Sequence, residues 1–186
     1  MTLSDRLGGY GLEHRRSSEN SVSARYLLDW EQSVDAERTL LPHEYVHSWN
    51  GKFRLSAGLH TPHYNAPVSD TMLWLYEGLT EYWGYVLAAR AGLRSIEQTL
   101  DSFAKLAAAS EHRKGRTWRS LSDTTYDPII GRNAPLPWPN WQRGGDYYPE
   151  GPLLWLDIDT RIRAPIATAT SRSRTPADCA IRTWSE

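Results

Sequence analysis

The chain has 186 residues, with 21 Lys and Arg against 22 Asp and Glu, and a formal net charge of −1. That length holds one domain with a core of its own, or one domain and a short appendage, and the balanced charge gives no electrostatic footprint for nucleic acid or an anionic membrane surface. Nine tryptophans and ten tyrosines suit a core and cleft of large amphipathic rings rather than a disordered or repeat chain.

Residues 1–9 carry no apolar leader, and no stretch reaches the ~20 apolar residues of a membrane span, so the expectation is a soluble, cytoplasmic chain with no membrane partner. The Gly8-Gly9 turn signal followed by Tyr10-Gly11-Leu12-Glu13-His14 predicts a short strand beside a cleft, and the polar residues 17–23 read as a loop. Over residues 35–49, Ala36, Leu40, Leu41, Tyr45, Val46 and Trp49 fall at helical spacing, and Pro42 either kinks that helix or makes it begin afresh at His43. Residues 51–69, with Gly58, Pro62 and Pro67, read as an irregular connection long enough to form a site wall. Residues 71–91 give the clearest helix, with Leu75, Leu79, Trp83, Val86 and Leu87 as its apolar stripe and Gly92 as its stop. Ser95 caps a second helix over 95–112, the segment 115–149 wraps the surface, and Leu153, Leu154, Leu156, Ile158 and Ile162 make 150–163 helical again. From Ala164 to the end neither helical nor strand period is present, and residues 164–186 are expected to pack poorly as a disordered or frame-shifted tail.

The chemistry gathers at His43-Glu44-Tyr45-Val46-His47. On a helix, residues i and i+4 share a face, so both imidazoles can take adjacent corners of a zinc tetrahedron, and Glu44 falls beside the metal where a general base for water has to be. A catalytic zinc of this kind needs a third protein ligand. Glu77, inside the helical run Trp74 to Tyr82, supplies a carboxylate for it, and the single cysteine, Cys179, excludes a thiolate cluster. Glu81 lies at i+4 from Glu77, either bonded to a ligand histidine from behind or simply solvated. His60 and His63 read as an inert loop pair, His14 stays unassigned, and Trp138 and Trp141 either line the cleft or pack.

Four separated blocks, Gly8 to His14, His43 to Arg54, Trp74 to Gly84 and Asp146 to Gly151, together resemble the glycyl aminopeptidases, zinc metallopeptidases of the gluzincin clan. The resemblance runs over residues 3–163. It implies a mainly α (α+β), thermolysin-like catalytic domain over 1–163 with a small N-terminal strand element, C-terminally truncated where 164–186 departs from the family. It implies His43, His47 and Glu77 as zinc ligands and Glu44 as the base. It further implies Tyr148 as donor to the tetrahedral oxyanion and Glu13 as the carboxylate that binds the α-amino group of a peptide substrate. The expected activity is removal of an N-terminal glycine or other small residue. A truncated remnant that binds zinc or peptide without turnover, and a zinc endopeptidase, are the two alternatives.

Overall fold

The computed structural model describes residues 1–7, 9–32, 35–127, 137–138 and 140–170. Among them the chain is mainly helical, with one small sheet. Strands β1 (Thr2–Leu3), β2 (Tyr10–Glu13) and β3 (Ser18–Val22) are ordered β1-β3-β2, with β2 antiparallel to β3 in the register Gly11 opposite Asn20 and Glu13 opposite Ser18. The expected strand at the Tyr10 block is therefore present, whereas the expected loop over 17–23 is a correction. β3 hides under a polar sequence because its buried groups are small and hydrogen-bonded: Ser21 Oγ donates to the Leu7 carbonyl at 2.6 Å and Asn20 Nδ2 donates to Ser18 Oγ at 2.7 Å. Composition reads such a strand as solvent-facing.

Helix α1 (Asp35–Val46) runs through Pro42 without restarting, and it ends before Trp49. Proline removes one backbone donor from a helix interior. Beyond Val46 the chain turns sharply, with Asn50 N–H donating to the Val46 carbonyl and Lys52 N–H to the His47 carbonyl. His47 thus stands just past the end of the helix, its N–H still on the His43 carbonyl, against the segment that follows.

A 3-10 turn at Asp70–Met72 leads into α2 (Leu73–Arg90). It stops at Gly92, whose φ of +72° lets its N–H reach the Ala89 carbonyl at 3.1 Å while Leu93 N–H reaches that of Ala88 at 2.9 Å. This paired closure satisfies the last carbonyls of the helix. α3 (Ile96–Glu111) opens with a full capping box, Ser95 accepting from Gln98 N–H and Gln98 accepting from Ser95 N–H.

α2 is the central element. α1 packs on one side of it and α4 (Gly151–Thr170) on another, so it is buried far beyond the single stripe expected from Leu75, Leu79, Trp83, Val86 and Leu87. Its covered positions include Tyr76, Glu77, Thr80 and Gly84, which an amphipathic reading assigns to water. One core unites Tyr82, Tyr85, Val86 and Phe103 with Leu153, Trp155 and Leu156; a second joins Leu73, Tyr76 and Tyr147. α4 continues as helix past Arg163 to Thr170, into the stretch expected to be aperiodic, while 171–186, with Cys179, lie outside the described residues. No helix among the described residues is long and apolar enough to cross a membrane.

α4 meets α2 at two glycines. A Cβ on Gly151 would stand 2.5 Å from Gly78 Cα, so the start of α4 docks directly behind Glu77 only because neither residue has a side chain. Gly151→Ala should destabilise the fold by about 1–3 kcal/mol, as overpacking of a backbone contact does. Urea unfolding followed by circular dichroism measures this, and an unchanged midpoint would mean that the two helices do not approach so closely.

Candidate metal centre

Helices α1 and α2 bring three donors to one point. His43 projects from the last turn of α1 and His47 from the residue just past it, Glu77 comes from the first turns of α2, and one ligand atom from each lies within 4.8 Å of the others. His43 Nε2 is 3.3 Å and His47 Nε2 3.5 Å from Glu77 Oε2, and the two Nε2 atoms are 3.1 Å apart with their rings steeply inclined at 80°. Gly84 of α2 faces His43 across this contact, and a Cβ there would meet His43 Cβ at 3.4 Å, an ordinary van der Waals distance.

The donor set fits a metal ion. All three residues are buried, and Glu77 Oε2 has no hydrogen-bond partner. Two facing imidazole nitrogens and a carboxylate oxygen share a space that only protons or a cation can reconcile. The outer nitrogens are arranged to match. His47 Nδ1 stands 3.0 Å from the Asn50 carbonyl, the contact that places the proton on Nδ1 and leaves Nε2 free to ligate. Asn50 is itself held by its side-chain amide, which donates to the Tyr76 carbonyl at 2.9 Å and to Thr80 Oγ1 at 3.0 Å. Glu81 Oε1 lies 3.6 Å from His43 Nδ1, behind the ring, which is where its spacing from Glu77 puts it.

A second group joins the first through His47: Glu13, Glu44 and His47 also offer ligand atoms within 4.8 Å of one another. Glu44 is buried, its Oε2 has no hydrogen-bond partner, and burial pushes its carboxyl above the usual carboxylate range. Strand β2 runs against it so closely that a Cβ on Gly11 would fall 1.9 Å from Glu44 Oε1. Gly11 is thus the residue that lets the sheet approach Glu44. At the end of the same strand Glu13 accepts a hydrogen bond from the Tyr76 hydroxyl and lies 3.3 Å from Lys52 Nζ. Burial alone would raise its pKa; the Tyr76 hydrogen bond and the charges of His47 and Lys52 outweigh burial and hold it below the ordinary value.

Tyr148 reaches the centre from the turn before α4. Its ring stacks over His43 with 6.5 Å between centroids and rests on Tyr147, a fully buried core residue, at 4.8 Å. That turn is clamped by buried ions: Arg143 Nε donates to Asp146 Oδ2 at 3.2 Å and Nη2 to Glu150 Oε2, and Arg113 Nη1 donates to Asp146 Oδ1 at 2.5 Å.

All seven residues singled out in the sequence therefore lie at or against one site. Trp138 and Trp141 do not contribute; they are 75% and 61% exposed. His60 and His63 enter no metal group among the described residues. The sequence reading passed over Gly11, Asn50, Lys52, Tyr76 and Thr80 as individuals. Two signals could have found them: Asn50 to Lys52 follow His47 directly, and Tyr76 precedes Glu77.

The sequence model of the M61 glycyl aminopeptidases matches residues 36–154, a span that contains both histidines, Glu44, Glu77, Glu81 and Tyr148 and leaves Glu13 outside. No curated protein matches the chain. A match over that share of its length makes the chain a peptidase. In particular, it belongs to the M61 glycyl aminopeptidase family.

The centre also carries a pH signature. Burial alone would lower the His43 pKa, but the Glu77 carboxylate beside it and the charges of Glu81 and Glu44 carry it from 6.5 up to about 9. Burial would raise Glu77, yet the two histidines hold it down from 4.5 to about 2. In metal-free protein the raised histidine adds stability that is complete below pH 6.5 and is lost as pH rises through about 9; the depressed glutamate adds stability that is complete above pH 4.5 and is lost as pH falls through about 2. Chelator-treated protein should therefore melt highest between pH 4.5 and 6.5 and at lower temperature as the pH approaches 9. A melting temperature that climbs steadily to pH 9 would contradict this pairing.

Proposed function

We propose that the protein is a zinc-dependent aminopeptidase that removes the first residue of peptides, with glycine or another small residue preferred. The observation that carries the reading is the sharing of His47 between two clusters, one of metal-ligand character and one holding two further carboxylates. An endopeptidase needs the first cluster and Glu44. A carboxylate placed as Glu13 is, at a fixed distance from the base, is what an enzyme needs to measure from a free N-terminus.

His43, His47 and Glu77 would hold the zinc, which when bound supplies the Lewis acidity that polarises a scissile carbonyl and acidifies water. The other steps belong to the chain. Glu44, raised by burial toward the working pH of a general base, accepts a proton from the attacking water and delivers it to the departing amine. Tyr148 donates its phenolic O–H in a hydrogen bond to the developing oxyanion. Glu13 receives the α-ammonium group of the peptide. It is charged for that purpose, since its pKa is held low.

Hydrolysis of glycyl and alanyl chromogenic amides, alongside their N-acetylated forms, tests the reading. Glu44→Gln should lower kcat by about 10²–10⁴-fold while zinc content stays at the wild-type level, as loss of a general base does. Tyr148→Phe should lower kcat by about 10²–10³-fold, the cost of an oxyanion donor. Glu13→Ala should erase the preference for a free N-terminus. Stoichiometric zinc with no hydrolysis above an unfolded control would refute the enzymatic reading, and cleavage of acetylated substrates as fast as free ones would refute the exopeptidase reading.

A further inference from the structure

The contact between Glu13 and Lys52 is unusual for an amine-binding site. Lys52 presents an ammonium group 3.3 Å from Glu13 Oε1, the same chemical group that a peptide N-terminus would bring. The carboxylate therefore meets its substrate already paired, and one of its partners has to give way.

The two partners differ in how freely they can move. Tyr76 is buried at 6% exposure and its ring stacks on His47 with 4.6 Å between centroids. Gly51, with φ at +141°, presses its backbone on the same ring, where a Cβ would stand 2.5 Å from Cε2. Displacing the tyrosine would disturb a metal-site histidine and the turn behind it. The Lys52 side chain, by contrast, is 31% exposed and carries its charge on a flexible four-carbon stem, while its backbone N–H stays fixed on the His47 carbonyl. A cavity of about 520 Å³ adjoins it, lined by Glu13, Lys52 and Tyr76 together with Arg15, Leu55 and Leu59. The lysine head has room to swing into it.

We propose that Lys52 is a displaceable counter-ion of Glu13, occupying the amine position in the free protein and exchanging with the α-ammonium of the substrate. The inference rests on the reading of Glu13 as the amine anchor. The exchange replaces one ammonium by another, so the half-buried carboxylate is never left bare, and the Tyr76 hydrogen bond holds it in place throughout. It also weakens binding of every free N-terminus by the strength of the lysine pair. A blocked N-terminus has no charge with which to evict the lysine, so the exchange is open only to a free ammonium group.

Calorimetric titration of glycinamide and N-acetylglycinamide into wild-type, Lys52→Met and Lys52→Arg proteins tests this without turnover. Loss of the competing ammonium should tighten glycinamide binding on the order of fivefold, the scale of a partly exposed ion pair. The arginine variant restores the charge and should return the affinity toward wild type. If Lys52→Met binds glycinamide no better than wild type, or more weakly, while wild type still prefers glycinamide to its acetylated form, the counter-ion proposal is overturned and the anchor role of Glu13 survives. If wild type binds both ligands alike, the anchor reading itself fails and takes the proposal with it.

Discussion

Everything in this fold converges on the burial of two imidazole nitrogens and a carboxylate oxygen in one small space between α1 and α2. Facing acceptors of this kind are costly to desolvate unless protons or a metal ion bridge them. The surrounding structure is arranged to hold them together regardless. Asn50 fixes the His47 ring through its carbonyl and ties that turn to α2 through its amide, and Gly78 admits α4 behind Glu77. Each device is a close backbone approach or a backbone-directed hydrogen bond, and each would be wasted on an ordinary hydrophobic core.

The same compactness links the metal donors to the other groups. β2 lies along Glu44 because Gly11 has no side chain, and that approach carries Glu13, two residues on, to within reach of His47. The turn before α4 brings Tyr148 over His43, and it is pinned by Arg143 through Asp146 and Glu150 rather than by apolar packing alone. Glu44, Glu13 and Tyr148, from α1, β2 and the turn before α4, thus gather around one pair of helices. The account of function follows from this convergence, with the family placing the chain among peptidases.

Much of this was legible in the residues. His43 and His47 sit one helical turn apart, and that spacing alone fixes their common face. Ser95 and Gly92 announced a helix start and a helix end that the structure reproduces, and Gln98 completes the capping box at Ser95. What the sequence hid has physical reasons. β3 is polar apart from Val22, with Ser21 Oγ and Asn20 Nδ2 hydrogen-bonded as they are buried, so no apolar alternation marks it. α2 is covered on several sides, so its covered positions include tyrosines, a threonine, a glutamate and glycines beside the aliphatic Leu73 and Val86. Tyr76 and Lys52 are marked only by their nearness in sequence to Glu77 and His47, because their roles arise from a contact with Glu13 across more than thirty positions of chain.

The central claim is that the helix pair is a metal site whose three donors act as one unit. Calorimetric titration of zinc into chelator-stripped protein tests it most directly, comparing wild type with single alanine replacements of His43, His47 and Glu77. The account predicts one ion per chain in wild type and an affinity weakened by at least about two orders of magnitude in each of the three variants. No zinc binding in wild type, or binding that survives the replacements unchanged, would contradict it.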